Sequence, residues 1–478
     1  VKKLLLLLVP LALFAQVEID TVIRLPSWVG PGMFVPELNK LYVQGGSGLY
    51  AIDCSTYSLK ADIPTSGGDY RSFTWNWRWQ KLYYKPDGPT IDSTLVIDGV
   101  TDSIVGSLKA YNSRCTDVYL SDLDRLYQPA RDTLFAFDCA ADTVVRRLPL
   151  LSYFASWDSV GHKLYVGQGG RRKLTVYDYI ADSVLKVIDV SAVFSDMPDA
   201  LLFNHSHHRA VVGRYWGGPF PYNLGIIDTE RDTLVGVLPV RIGANGLTAE
   251  VAVDQQDGKV YIADNDGVWA TPDSLWVVDC ATDSVVKKVE YWRRGSTVKA
   301  VRWVPWSNRI YLALMNPDAD HESCITVLDC STDSIIVPEM LLNESHIQDI
   351  QLDPIRERIF VIGVNGTEVY VLRDVEGGVA EEPASTRPAL ASGLQVQMTS
   401  GGYEVRYSVS SACRIDLSIY DLMGREVRRL VAESVTVGEH RVFWDRTDQN
   451  GAVVAPGVYF IRLDTPGFNA TEKAVVSR

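Results

Sequence analysis

An all-β chain, built as an eight-bladed β-propeller followed by a small β-sandwich, is the fold this sequence predicts. Three features carry that expectation. An Asp-x-x-x-Asp-Ser/Thr element recurs through the chain, from "DCSTYS" at Asp53 through "DGVTDS", "DCAADT", "DYIADS", "DTERDT" and "DCATDS" to "DCSTDS" at Asp329. A strand opening of the Lys/Arg-Leu-Tyr type recurs as "KLYV" at Lys40 and Lys163, "KLYY" at Lys81, "RLYQ" at Arg125, "KVYI" at Lys259, "RIYL" at Arg309 and "RIFV" at Arg358, with a degenerate "RAVV" at Arg209. Finally, no stretch of useful length shows helical periodicity. Repetition at 40–50 residues marks solenoids and propellers, and four short strands per unit favour the propeller.

The elements follow in chain order. The opening VKKLLLLLVPLALFAQ has two lysines and an apolar run from Leu4 to Phe14. It reads as a secretory signal peptide over 1–15, too short for the ~20 residues of a membrane-spanning helix. A retained anchor is the alternative. The expected location is secreted or cell surface, with no membrane span once the leader is cleaved. The propeller is expected over 17–374. Each unit gives a β-rich stretch, a polar turn, the Lys-Leu-Tyr strand, a variable loop, an apolar strand ending in Asp, the Asp-rich turn and a last strand. The strand before each Asp, such as "LWVVDC" or "ITVLDC", is apolar on both faces, as expected when it is sandwiched between layers.

The Asp-rich element is expected to be a structural joint. Asp and Ser/Thr side chains accept backbone N–H groups in tight turns, whereas a calcium loop needs more carboxylates converging on one point. The last unit stops at Asp374 without a fourth strand, and "DTVIRLP" from Asp20 resembles "DTVVRRLP" from Asp142. Pairing the N-terminal strand with the strand around Val369–Leu372 would close the ring. Seven blades is the alternative, if the unit at Arg209 merges with a neighbour. A Gly-, Pro- and Ala-rich linker follows over 375–392. A second module then occupies 393–478, with "DQNGAVVAPGVYFIRL" supplying an Asn450–Gly451 hairpin signal.

The chain has 478 residues and a net charge of −13, and the repeated turns hold as many aspartates as that excess. With no compensating basic stripe, nucleic-acid binding is not expected. Four of the seven cysteines (Cys54, Cys139, Cys280 and Cys330) occupy one position of the repeat. Equivalent positions in different units lie too far apart to pair, so they read as small buried side chains between units.

The units "NKLYV…LYAIDCST" and "GKVYIAD…LWVVDCATDSVVKKV" resemble the YVTN type of β-propeller repeat, over about 17–374. That resemblance implies an exported propeller and carries no ligand with it. In the tail, "IYDLMGREVRRL", "GEHRVFWD", "NGAVVAPGVYFIRL" and "EKAVVSR" resemble the Ig-like domain of the flagellar hook-cap protein and the C-terminal sorting domain of type IX secretion. This implies an Ig-like sandwich, with the export machinery as a partner of that domain.

Catalytic motifs of the GxSxG, HExxH and phosphate-loop kinds are missing from the sequence. "NHSHHR" (His205, His207, His208) reads as a solvated turn, and "NPDADHE" (Asp318, Asp320, His321, Glu322) and "ADNDG" (Asp264, Asp266) as polar loops. Asp117, Glu250 and Asp349 share no spacing that argues for convergence. No catalytic residue, metal ligand or cofactor is therefore assigned. In a propeller the first-to-second and third-to-fourth turns share one face; the second-to-third loops and the links between blades share the other. The latter loops vary in length and carry Arg171, Arg172, Tyr215, Trp216, Tyr222, Trp269, Trp292, Arg293 and Arg294. Aromatic side chains with arginine suit recognition of a glycan or protein. The leading expectation is a binding protein with an extracellular or cell-surface ligand. The alternatives are a metal-dependent hydrolase or lyase of the propeller type, and a structural component of the cell envelope.

Overall fold

The structure, a computed structural model, describes residues 16–376 and 393–476 except for 47, 66–71, 87–92, 110–116, 131, 169–170, 194–199, 214–223, 239, 241–249, 265–273, 292–296, 316–322, 343–345, 364–365, 376, 400–401, 410–412, 422–424, 436–437 and 466–468. Within these residues, eight four-stranded antiparallel sheets follow one another along the chain. Blades 1 to 7 span 29–64, 72–109, 118–148, 154–189, 200–238, 251–290 and 297–342, and blade 8 combines 347–375 with 16–24. The first strand of every blade touches the first strands of both neighbours, round the complete ring, so these strands line the axis. Eight blades are present; the unit at Arg209 is a full blade of its own.

Both turns on one face have the same construction. In the third-to-fourth turn the leading aspartate accepts backbone N–H groups two or three residues on. Asp53 takes those of Ser55 and Thr56 at 2.7 and 3.1 Å, and Asp279 those of Ala281 and Thr282 at 2.8 Å each. The trailing position has left-handed backbone in all seven turns: Tyr57, Asp102, Asp142, Asp182, Asp232, Asp283 and Asp333. Asp tolerates that conformation better than most residues. The first-to-second turn repeats the device. Asn76, Asp158, Asp254 and Asp353 each accept two such N–H groups, and the residue before the Lys/Arg is left-handed in all eight blades. Gly258 is the one glycine among those eight. Seven other side chains adopt the same backbone, so conformation alone does not require glycine there. A Cβ would lie 2.1 Å from the ring of His207, which packs over it.

The recurring Lys-Leu-Tyr is a clamp on the next blade. Lys and Tyr stand two residues apart in a strand and so share one face. Lys40 lies 2.7 Å from Asp102 of blade 2, and Tyr42 donates to the same carboxylate at 2.7 Å. Lys81 and Tyr83 hold Asp142, Lys163 and Tyr165 hold Asp232, and Lys259 and Tyr261 hold Asp333. Each lysine also donates to a backbone carbonyl at the start of the same turn, for example Lys259 to Cys330 at 2.7 Å. Burial and the Asp contact together push the four tyrosine phenols above their ordinary range. Arg209 replaces the pair at blade 5, binding Asp283 through two nitrogens. The cysteines at the repeat position lie fully buried beside these clamps and belong to the cores between blades. Cys54, Cys139, Cys280 and Cys330 are free thiols, and burial pushes Cys139 and Cys280 up to about 11 and 12.

Ring closure runs through Gln16–Arg24, which pairs antiparallel with Glu368–Val375 from Gln16↔Val375 to Arg24↔Glu368. Blade 1 carries Tyr57 in place of the trailing aspartate, so Arg358 of blade 8 turns to Asp20 of the N-terminal strand at 2.8 Å. The seam between blades 8 and 1 is stitched by Arg356, which donates to Asn39 and Ser55 of the blade 1 turns, and also near the axis. The N–H groups of Gly32 and Phe34 donate to Asp349 and Gln351 at 3.2 and 3.3 Å.

After the propeller, three strands (Gly393–Thr399, Gly402–Val409, Gly438–Trp444) form one sheet. Four more (Glu426–Val431, Asp416–Asp421, Gly457–Asp464, Asn469–Val476) form a second, in that spatial order. They enclose a core drawn from their own residues, with Trp444 fully buried among Tyr403, Val405, Leu417, Ile419 and Ile461.

Candidate functional site

The two ends of the ring differ in what their connections do. On the short-turn face, most turns are committed to Asx-type hydrogen bonds or clamps, and every first-to-second turn has a left-handed position. On the other face, the ends of the second and third strands carry loops outside that scheme. Arg171 and Arg172 lie there, in the turn joining Lys163–Gln168 to Lys173–Asp178 of blade 4, and both are exposed. The Arg172 carbonyl accepts the Val190 N–H at 2.9 Å, which fixes the loop backbone and leaves the guanidinium in solvent. Tyr215, Trp216, Tyr222, Trp269, Trp292, Arg293 and Arg294 lie outside the described residues. The strands that bear them are described. Arg209–Gly213 and Leu224–Asp228 of blade 5, Lys259–Asp264 and Ser274–Asp279 of blade 6, and the link from Ser284–Glu290 to Thr297–Val304 all present their ends on this face. Together with blade 4 they occupy four consecutive blades.

Beneath this face lie the three acidic residues near the axis, each with its own partner. Asp117 is buried against Lys85 at 2.6 Å and accepts from Thr94 and Gln128. Asp349 pairs with Arg302 at 2.9 Å and accepts from Gln351 and the Gly32 N–H. Glu250 faces Lys299, whose ammonium burial pulls below the ordinary lysine range against that carboxylate's pull upward. They sit on blades 3, 8 and 6 and are spent on joining blades. Among the described residues no group of three His, Cys, Asp or Glu side chains is placed to hold a metal ion. Asp318, Asp320, His321, Glu322 and Asp266 lie outside the described residues.

The histidine turn differs from its reading as a solvated loop. His205 is buried and lies 3.6 Å from the equally buried Asp158 of blade 4. Burial works to raise the Asp158 carboxyl, yet the contact with His205 leaves it below the usual carboxylate range. His207 is half-buried over Gly258, and burial lowers its imidazole. Only His208 has the expected exposure, 3.7 Å from Glu230. The partner of His205 comes from the neighbouring blade, where alignment of repeats cannot show it.

No family model and no curated protein matches this chain. A solved structure, the C-terminal WD40 domain of Sif2, aligns with a TM-score of 0.53 at 12% identity, covering 75% of this chain and 98% of that one. The fold is a WD40-like β-propeller. At that identity the likeness extends to the fold alone, and the share covered is close to that of the eight blades.

Proposed function

We propose that this chain is an exported β-propeller of the YVTN type that binds a glycan or protein ligand through its variable-loop face. The observation that supports the reading is the division of labour between faces. The short-turn connections are used up in structural bonds, whereas the other face carries loops with Trp, Tyr and Arg, types that dominate binding hot spots. The opening VKKLLLLLVPLALF segment supports export, and the tail's likeness to hook-cap and sorting sequences supports an Ig-like module that engages the export machinery. A rigid scaffold with loops at one end is a common way to present a binding surface. The test is a screen of the purified protein against glycans and cell-envelope extracts, followed by Trp216→Ala, Trp292→Ala and His208→Ala. Each tryptophan variant is expected to lose about 2 kcal/mol or more of binding, and the histidine variant, on the short-turn face, none. Binding lost only in the histidine variant places the site on the wrong face.

A further inference from the structure

The four-stranded C-terminal sheet has two differently built faces. Leu417, Ile419, Ile461, Leu463, Ala474 and Val476 point into the sandwich core. The alternate residues form two cross-strand rows on the other side: Tyr420, Phe460 and Lys473 in one, Ser418, Arg462 and Thr471 in the next. This second face meets the propeller. Arg462 donates to the Gln255 carbonyl at 2.8 Å, and Lys473 pairs with Glu357 at 2.5 Å. The Arg425 guanidinium, just before one edge strand, lies 4.8 Å from the centre of the Trp157 ring. Tyr420, Phe460 and Thr471 line one crevice with Ser206, Trp303 and Pro305.

All these propeller residues belong to first-to-second turns or their flanks, beside the axis. Trp157 is on blade 4 and Glu357 on blade 8, opposite each other in a ring of eight. The two edges of the sheet, at Arg425 and Lys473, rest on those opposite blades, and its central strands cross blades 5, 6 and 7. The sheet therefore lies as a bar across the end of the ring.

We infer that the C-terminal module is a permanently seated lid on the short-turn end of the propeller, held by this interface. A ligand then reaches the ring from the opposite face alone. The inference does not depend on what that ligand is. It also sets the module apart from a tag that leaves once the chain is delivered. The interface mixes half-buried aromatic surface with a cation–π contact and charged hydrogen bonds, the ingredients of a specific contact.

The test uses the full chain with a site-specific protease sequence placed within 376–392. After complete cleavage, gel filtration at micromolar concentration should return both fragments in one peak. Phe460→Asp and Arg462→Glu, combined, should release the C-terminal fragment into its own peak. Near-ultraviolet circular dichroism from the buried Trp444 shows that the released fragment is still folded. Separation of the unsubstituted fragments after cleavage overturns the inference. Co-elution of the substituted ones also overturns it, because the fragments would then be held by something other than this face.

Discussion

Asp254 ends the first strand of blade 6 with its carboxylate buried. One oxygen accepts the N–H groups of Gln256 and Asp257 at 2.8 and 3.0 Å, and the other is buried with no donor. Burial, reinforced by the neighbouring Asp257, pushes this carboxyl up to about 7, against the opposing pull of its backbone bonds and Lys259. The folded chain thus keeps a proton that the unfolded chain releases near pH ~4. Its contribution to stability is complete below about pH 4 and is lost as pH rises through about 7. Blades 2 and 5 place Asn76 and Asn204 at the same point and keep the turn bonds through the amide oxygen. Asp254→Asn should therefore leave stability near pH 3 unchanged and raise it at pH 8 by about 4 kcal/mol, as read from urea melts at the two pH values. Equal melts at pH 8 would show the carboxyl to be ionised at no cost. The sequence shows Asp and Asn at this position, but the cost of Asp254 was not legible, because it depends on how fully the fold buries one oxygen.

At the scale of the element, the joint between blades is the clamp. Lys40 and Asp102 have side chains only 3% and 4% exposed, so removing one partner strands a buried charge. Asp102→Ala should cost about 3 kcal/mol or more, with a further ~1 kcal/mol because alanine resists left-handed backbone. Glu18→Ala, which breaks the half-exposed pair with Arg373, should cost under ~1 kcal/mol. Thermal melts of the two variants decide this, and equal losses would contradict it. Both halves of the clamp were visible in the sequence as recurring words. Their connection was not, since the separation between lysine and aspartate varies with loop length, from 61 residues for Lys81–Asp142 to 74 for Lys259–Asp333. The exception is instructive. Tyr57 stands where the other turns have aspartate, and the structure pairs that loss with the switch of Arg358 to Asp20 at the closing strand.

At the scale of the molecule, the chain separates work by face. A propeller's stability lies in its strands, short turns and clamps, so the opposite loops are free to vary. Blade number, closure and the buried role of the repeat cysteines were legible because they follow from patterns that recur. The binding surface is less so, because seven of its nine candidate residues sit in loops that obey no repeat. The most direct measurement replaces 214–223 and 265–273 with short Gly-Ser connections in the full chain and compares melting and ligand capture with the parent. The account predicts an unchanged melting temperature, within the small entropic effect of loop length, together with loss of capture. Capture that persists, or a ring that unfolds without those loops, would contradict it.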